Sequence, residues 1–334
     1  MHLPNVATLI VGHCIYAVTH AIGVLPPPNV QPAQPAFSLW TVLGDSFTAG
    51  PNAGQPVDPQ SPNCYRTDGS WAYQLRRDPH FFNQNNLGGF QMHACTGDTI
   101  AQVREGQVDA SNSGFTWLND LYTITVGGND LKFSSIVKSC VYNLPSIAGG
   151  GSCSGLLDAA SQALKEGSPF LLDLDDLYNN IKDKAGARAR LLVVPYVSFY
   201  NYGTEKHETK DNCWVPKDTR KRMDDITDQF NLALKQHAAS QGWEILDADR
   251  LQSSFDGHRF CEPKTATGDA WFQDNLYKTL APEDQQAFLD ATDPSQVLPL
   301  SSRTTRACSI RTLQDTKPIM KMLSTTFGLL LEAP

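Results

Sequence analysis

The sequence lacks several features that would indicate other kinds of protein. Its one long apolar run lies at residues 6–24, and no later stretch is long enough to span a membrane. There is no CxxC pair, so a zinc or dithiol redox site has little support. There is also no Asn-x-Ser/Thr acceptor, so nothing requires N-glycosylation. We expect neither a metal nor an organic cofactor.

Positive charge is also scarce. The 334 residues include 27 Lys and Arg against 35 Asp and Glu, which gives a formal net charge of −8. An acidic chain is repelled by nucleic acid and by anionic membrane surfaces. We therefore expect no nucleic-acid partner and no stable membrane insertion, and we expect a monomer.

What the sequence does contain is a series of polar turns after apolar, strand-like runs. The run at residues 37–43 is rich in aromatic and β-branched residues, and it leads into Gly44, Asp45 and Ser46. A serine on such a turn at the end of a buried strand is a candidate nucleophile. The ordinary alternative is a serine that caps a helix.

Two further polar turns follow apolar runs later in the sequence. A short run leads into Cys95, Thr96 and Gly97, and the apolar run at residues 121–126 leads into Gly127-Gly128-Asn129-Asp130. Ser, Gly and Asn on three successive strand-end turns form the pattern of the SGNH (GDSL-type) hydrolases, which this chain resembles from about residue 37 to 272. The chain is most similar to secreted, disulfide-bonded fungal and actinobacterial members.

The resemblance implies roles for these residues. Ser46 is then the nucleophile, and the oxyanion hole consists of the backbone N–H groups of Ser46 and Gly97 and the side-chain amide of Asn129. Asp45 and Asp130 are then supporting residues that hold their turns. The alternatives are a plain turn glycine at Gly97 and a turn-capping amide at Asn129.

Strand and helix patterns alternate along the rest of the chain. Apolar runs at residues 190–195 and 243–248 predict further buried strands, and residues 220–241 have helical spacing of apolar positions. The alternation favours a mostly parallel sheet between helical layers. The family fold is such a three-layer α/β/α sandwich.

The cysteines favour an oxidising compartment. Of the eight, Cys14 lies in the N-terminal apolar segment and Cys308 near the C-terminus, which leaves six. The family resemblance pairs these as Cys64–Cys95, Cys140–Cys153 and Cys213–Cys261. Disulfides form outside the cytosol. The alternative is that several are free thiols of the core.

The N-terminal segment, residues 1–24, is interpreted as a signal peptide. The apolar run at residues 6–24 ends in small residues, but it lacks a basic start and is interrupted by His13 and His20, which makes it a weak form of the signal. Residues 25–36 are proline-rich and predict an extended linker. We expect a secreted protein with one hydrolase domain at residues 37–306 and an aberrant tail at 307–334.

The C-terminal region departs from the family pattern. Members carry a late His-Pro within a longer His-Pro-x-x-x-Gly-His block, whereas no histidine follows His258 in this chain. A shifted reading frame offers an explanation, in which the third base of each codon is read with the first two bases of the next codon. In that frame the codons permit the residues of the missing block in order: Phe at Cys308, His at Ser309, Pro at Ile310, Ala at Thr312, Pro at Leu313, Gly at Gln314 and His at Asp315. We hypothesise a frameshift or mis-assigned splice site between about residues 299 and 307.

The sequence therefore predicts a serine carboxylic-ester hydrolase whose substrate is a small-molecule, lipid or polysaccharide ester. The alternative is a non-catalytic or impaired protein that keeps the fold without its base. His258 could substitute as the base, but the family carries Gly-His-Arg-Phe-Cys in addition to its late histidine. That favours a structural or pocket-lining role for His258.

Overall fold

A computed structural model describes residues 35–51, 53–110, 119–141, 151–200 and 215–262. The chain divides into residues 1–34 and 35–334, and every described residue belongs to the second unit. The predicted signal peptide, nearly all of the linker and the tail at 307–334 lie outside the described residues. Those three assignments stay predictions.

The described strands form one parallel sheet in the order β2-β1-β3-β4-β5. The strands are β1 Trp40–Gly44, β2 Phe90–Met92, β3 Leu121–Thr125, β4 Arg190–Val193 and β5 Glu244–Ile245. All residues of the two central strands β1 and β3 are buried, as expected for parallel strands covered on both faces.

Helices cover both faces of this sheet. They are α1 Ser46–Ala49, α2 Trp71–Arg76, α3 Ile100–Gln102, α4 Phe133–Ile136, α5 Cys153–Ala163, α6 Pro169–Lys184, α7 Lys217–Ser240 and α8 Ala248–Ser254. Most begin at a side chain that accepts a hydrogen bond from the first turn, namely Asp45, Ser70, Thr99, Ser152, Ser168 and Asp247. Shorter 3-10 turns lie at Pro62–Cys64 and Leu87–Gly89, and π-helical turns at Val103–Val108 and Val137–Val141.

The strand side chains alternate between two apolar cores. Trp40 and Val42 of β1 pack with α2 and α8 on one face, whereas Leu43 packs with α3, α5, α6 and α7 on the other. Two cores separated by one sheet make a three-layer α/β/α sandwich. The predicted fold class is confirmed.

The predicted element boundaries are less accurate than the element types. Strand β1 begins at Trp40 and not at Phe37, because the N–H groups of Ser38 and Leu39 donate to the Asp120 carboxylate, each at 2.9 Å, and not to a neighbouring strand. Strand β5 is only two residues long. The helix predicted at 220–241 is α7, Lys217–Ser240.

Two of the three predicted disulfides are present. Cys64 is bonded to Cys95 and Cys140 to Cys153. Cys261 is also disulfide-bonded, and its expected partner Cys213 lies outside the described residues. Among the described residues, no helix is both long and apolar enough to cross a membrane.

Candidate active site

The strand order places a crevice beside β1. From β1 the chain moves outward to β2, whereas from β3 it continues to β4 and β5 on the other side, so the direction of winding reverses between β1 and β3. In open α/β sheets, ligands bind at the carboxyl ends of the strands at such a reversal. Ser46 directly follows the end of β1, and Asn129 lies shortly after the end of β3.

The Gly44-Asp45-Ser46 turn is held tightly against β3. Gly44 has a φ of 138°, and a Cβ on it would lie 2.4 Å from the Thr125 carbonyl oxygen, so only glycine fits. Asp45 caps α1 by accepting the Phe47 N–H at 2.9 Å. Ser46 is the first residue of α1 and is partly exposed. Among the described residues, its N–H has no hydrogen-bond acceptor.

Gly97 lies on the turn after β2, next to the end of β1. The Cys95 N–H donates to the Gly44 carbonyl oxygen at 2.9 Å, which joins this turn to β1. Gly97 has a φ of 92°, which favours glycine, and a Cβ there would meet nothing within 4 Å. Its N–H, like that of Ser46, finds no acceptor in the described part of the chain. The space beside the Gly97 Cα is therefore open to a ligand.

Asn129 is oriented by a neighbouring carbonyl group. Its side-chain amide donates one N–H to the Asp98 carbonyl oxygen at 2.9 Å, which leaves the second N–H of that nitrogen for another acceptor. The adjacent Asp130 accepts the Ile100 N–H at 3.0 Å. Both contacts tie the turn after β3 to the turn after β2.

Gln107 also holds the site together, and sequence reasoning missed it. Its amide exchanges two hydrogen bonds with the backbone of Gly44, at 2.9 and 2.8 Å, and donates to the Asp98 carboxylate at 2.7 Å. The side chain is 3% exposed. It lies in a π-helical turn, where no local pattern marks a contact with a strand 63 residues earlier.

Three carboxylates lie around these turns. The pKa of Asp45 is raised to about 7. Burial is the main cause and the nearby charges of Asp130 and Asp98 add to it, whereas hydrogen bonds from Tyr196 and the Phe47 N–H oppose the rise. Burial also raises the pKa values of Asp98 and Asp130. Among the described residues, no cluster of His, Cys, Asp and Glu is suited to hold a metal ion.

His258 lies in the turn after α8. Its N–H donates to the Phe255 carbonyl oxygen at 2.9 Å, and the nearby Phe260 N–H donates to Phe199, in the segment after β4. The neighbouring Arg259 is 3% exposed and forms ion pairs with Asp256 and Glu262. The hydrogen bonds and ion pairs described for this block join it to its own turn, to Gln252 of α8 and to the segment after β4.

Comparison with known proteins identifies the family. The model of the GDSL-like lipase/acylhydrolase family matches residues 42–284, which include all three turns. The chain belongs to this family. Membership of this family of lipases and acylhydrolases supports an ester hydrolase of the lipase and esterase type.

Individual relatives agree with this membership. Lipase 1 of Streptomyces coelicolor is 29% identical over 235 residues, which cover 70% of this chain and 77% of the relative. The crystal structure of an extracellular lipase from Streptomyces rimosus has a TM-score of 0.56 at 21% identity, covering 74% of this chain and 91% of that one. A phospholipase A1 from Streptomyces albidoflavus has a TM-score of 0.55 at 23% identity, covering 72% and 88%. These two structures share the fold.

Substitution of Gln107 is expected to destabilise this GDSL-family protein. Gln107→Glu places a carboxylate against the Gly44 carbonyl oxygen and the Asp98 carboxylate, which we expect to lower the free energy of unfolding at pH 7 by about 3–5 kcal/mol. Gln91→Glu is the matched control, because Gln91 only accepts a hydrogen bond, from Thr41. Urea denaturation at pH 7 and pH 4.5 measures both. The deficit shrinks at the lower pH, where the new carboxyl is protonated; equal midpoints for the two variants would contradict the role of Gln107.

The burial of Asp45 predicts a pH-dependent stability. Its folded pKa of about 7 lies above the ordinary 3.8, so between these values the native state holds a proton that the unfolded state has lost. The unfolding free energy therefore falls by about 1.4 kcal/mol per pH unit as pH rises through this window. Asp45→Asn removes that contribution. Urea denaturation should therefore show that the unfolding free energy of the wild type falls relative to that of Asp45→Asn from pH 4 to pH 7.

The control is Asp247→Asn, which changes the same kind of helix cap at an exposed position. Its unfolding free energy should stay nearly parallel to that of the wild type across the same pH range. If the unfolding free energy of Asp45→Asn also changes with pH in the same way as that of the wild type, Asp45 does not titrate near neutrality.

Proposed function

We propose that this protein is a secreted serine carboxylic-ester hydrolase that forms an acyl-enzyme on Ser46. The observation that carries the proposal is the joining of three strand-end turns at the β1/β3 reversal. Gln107 connects the first turn to the second, and Asn129 and Asp130 connect the second to the third. Membership of the GDSL-like family supports an ester as substrate.

The proposed first step is attack of the Ser46 hydroxyl oxygen on the ester carbonyl carbon. The carbonyl oxygen then becomes negatively charged, and the N–H groups of Ser46 and Gly97 and the second amide N–H of Asn129 donate to it. Donors held in place before the reaction need no reorganisation during it. The hydrogen bonds that fix these turns therefore hold the three donors in place for the transition state.

A proton must also be transferred. The Ser46 hydroxyl proton passes to a base and then to the departing alcohol; water later adds to the acyl-enzyme, releases the acid and returns a proton to Ser46. We assign the base to the late histidine of the shifted reading frame. His258 is the alternative base in the chain as written, although its Gly-His-Arg-Phe-Cys motif favours a structural or pocket-lining role. Without either, the protein is a non-catalytic member of the fold, which is the second candidate function. The absence of any histidine after His258 favours it.

The relatives and the disulfides support the proposed substrate class and the proposed secretion. Relatives named as lipases and as a phospholipase A1 support lipid carboxylic esters over polysaccharide acetyl esters. A relative named as extracellular supports secretion, and the disulfides Cys64–Cys95 and Cys140–Cys153 fit an oxidising compartment.

A panel of esters tests the proposed function. We expect p-nitrophenyl acetate, butyrate and palmitate to be hydrolysed by the chain with the late histidine restored, and the hydrolysis to be lost when Ser46→Ala is introduced into that chain. Ser253→Ala is the control, because Ser253 is an exposed helical serine whose hydroxyl donates to the Asp249 carbonyl oxygen of its own helix. Turnover that survives in Ser46→Ala would refute the assignment of the nucleophile. No turnover both in the chain as written and in a chain with the late histidine restored would favour the non-catalytic alternative.

A further inference from the structure

A tyrosine at the end of a third strand touches both turns that carry the proposed catalytic groups. Tyr196 follows β4, and its hydroxyl donates to the Asp45 carboxylate at 2.5 Å. The same hydroxyl oxygen accepts the Gly128 N–H at 3.3 Å. Asp45 directly precedes Ser46, and Gly128 directly precedes Asn129. One phenol therefore bridges the nucleophile turn and the Asn129 turn.

The position of this phenol is fixed at both ends. Asn231 of α7, itself 4% exposed, accepts the Tyr196 N–H at 3.0 Å and donates to the Tyr196 carbonyl oxygen at 2.8 Å. The ring stacks on Phe230 at 5.0 Å between centroids and contacts Phe47 at 5.3 Å. A side chain held by its backbone and by two ring contacts places its hydroxyl with little freedom.

The ring also limits the approach of the Asn129 turn. A Cβ on Gly128 would lie 3.2 Å from the nearest ring carbon of Tyr196, so the backbone of this turn rests on the edge of the phenol. The hydroxyl and the ring thus act on the same turn. No other described side chain is hydrogen-bonded to both the Asp45 carboxylate and the turn that carries Asn129.

We propose that Tyr196 is a positioning residue for ester hydrolysis, which sets the spacing between Ser46 and Asn129 by bridging Asp45 and the Gly128 N–H. The inference rests on the proposed function. Tyr196 itself contacts neither the substrate nor the reacting atoms; it acts through the two turns. Misplacement of a catalytic group by about 1 Å can lower the rate by about 100-fold.

The ionisation of the Asp45 carboxyl reports on the hydrogen bond from Tyr196. The charged groups that face Asp45 are Asp98 from the second turn and Asp130 from the third, with Lys132 beside Asp130. The residues from α1 and α7 that contact the bridge, Phe47 and Phe230, carry no charge. Because a hydrogen bond to an ionised carboxylate favours the ionised form, loss of the Tyr196 hydroxyl should raise the pKa of Asp45 still further.

Tyr196→Phe tests the proposal, because it keeps the ring contacts and removes only the hydroxyl. We expect kcat for p-nitrophenyl butyrate to fall about 10- to 100-fold with KM little changed. We also expect the infrared band of the protonated Asp45 carboxyl, assigned by its absence in Asp45→Asn, to persist to higher pH than in the wild type. The matched control is Tyr178→Phe, which removes a fully buried phenol hydroxyl whose ring contacts Trp243.

The outcomes separate the two proposals. A lower kcat together with the shifted carboxyl titration, both absent in Tyr178→Phe, supports the inference. An unchanged kcat and titration in Tyr196→Phe, or equal losses in both variants, overturns it. If the chain with the late histidine shows no Ser46-dependent hydrolysis, the proposed function fails; the infrared titration still tests the bridge in that protein, and an Asp45 carboxyl that titrates at the same pH with and without Tyr196→Phe overturns it.

Discussion

Reading the codons from about residue 308 in the shifted frame is expected to raise kcat/KM for p-nitrophenyl butyrate by about 1,000-fold or more over the chain as written. Loss of the histidine base from serine hydrolases costs several orders of magnitude in rate, because the serine proton then has no acceptor. The shifted frame permits His-Pro at Ser309 and Ile310. The measurement is steady-state hydrolysis by the two purified chains.

The control for that comparison is the shifted-frame chain with the histidine at position 309 replaced by alanine. Its activity should return to the level of the chain as written. Sequencing of genomic DNA and transcript across these codons provides an independent check. If the shifted frame lacks the His-Pro codons, or if the restored chain is no more active, the frameshift hypothesis is wrong.

Asn129→Ala is expected to lower kcat for ester hydrolysis by about 100- to 1,000-fold with little change in KM, measured in the chain with the late histidine. In the proposed oxyanion hole, the Asn129 amide N–H that is not bonded to Asp98 donates to the developing oxyanion, so we expect its loss to affect the transition state more than the bound substrate.

Asn86→Ala is the matched control for this loss. Asn86 also donates its side-chain amide to a carbonyl oxygen, that of Ser38 at 3.0 Å, but it does so at the amino end of β1. Its removal should cost stability without a comparable loss of kcat. If both variants lose kcat equally, Asn129 acts on stability alone.

The main features of the fold could be predicted from the sequence for a physical reason. In a parallel sheet every carboxyl end falls at one edge, so polar turns after apolar runs must lie near each other. The rule places Ser46 and Asn129 at the same edge of the sheet, and the structure shows that they follow neighbouring strands, β1 and β3. The pairing of Cys64 with Cys95 came from the family resemblance, and the structure contains it.

The residues that connect the turns could not be found in this way. Gln107 reaches Gly44 across 63 residues, and Tyr196 reaches Asp45 across 151. Neither has a local pattern, since a glutamine in a helical turn and a tyrosine after a strand are ordinary in any α/β protein. The start of β1 was misplaced for a similar reason, because a distant carboxylate, Asp120, takes the N–H groups that strand pairing would use.

The most direct test of the central claim is the rate at which a fluorophosphonate modifies Ser46, with the adduct located by peptide mass spectrometry. In the chain that carries the late histidine, we predict a single adduct on Ser46, formed much faster than in the chain as written and absent from Ser46→Ala. An adduct on another residue, or no reaction of Ser46 in the restored chain, would contradict the assignment of Ser46 as the nucleophile.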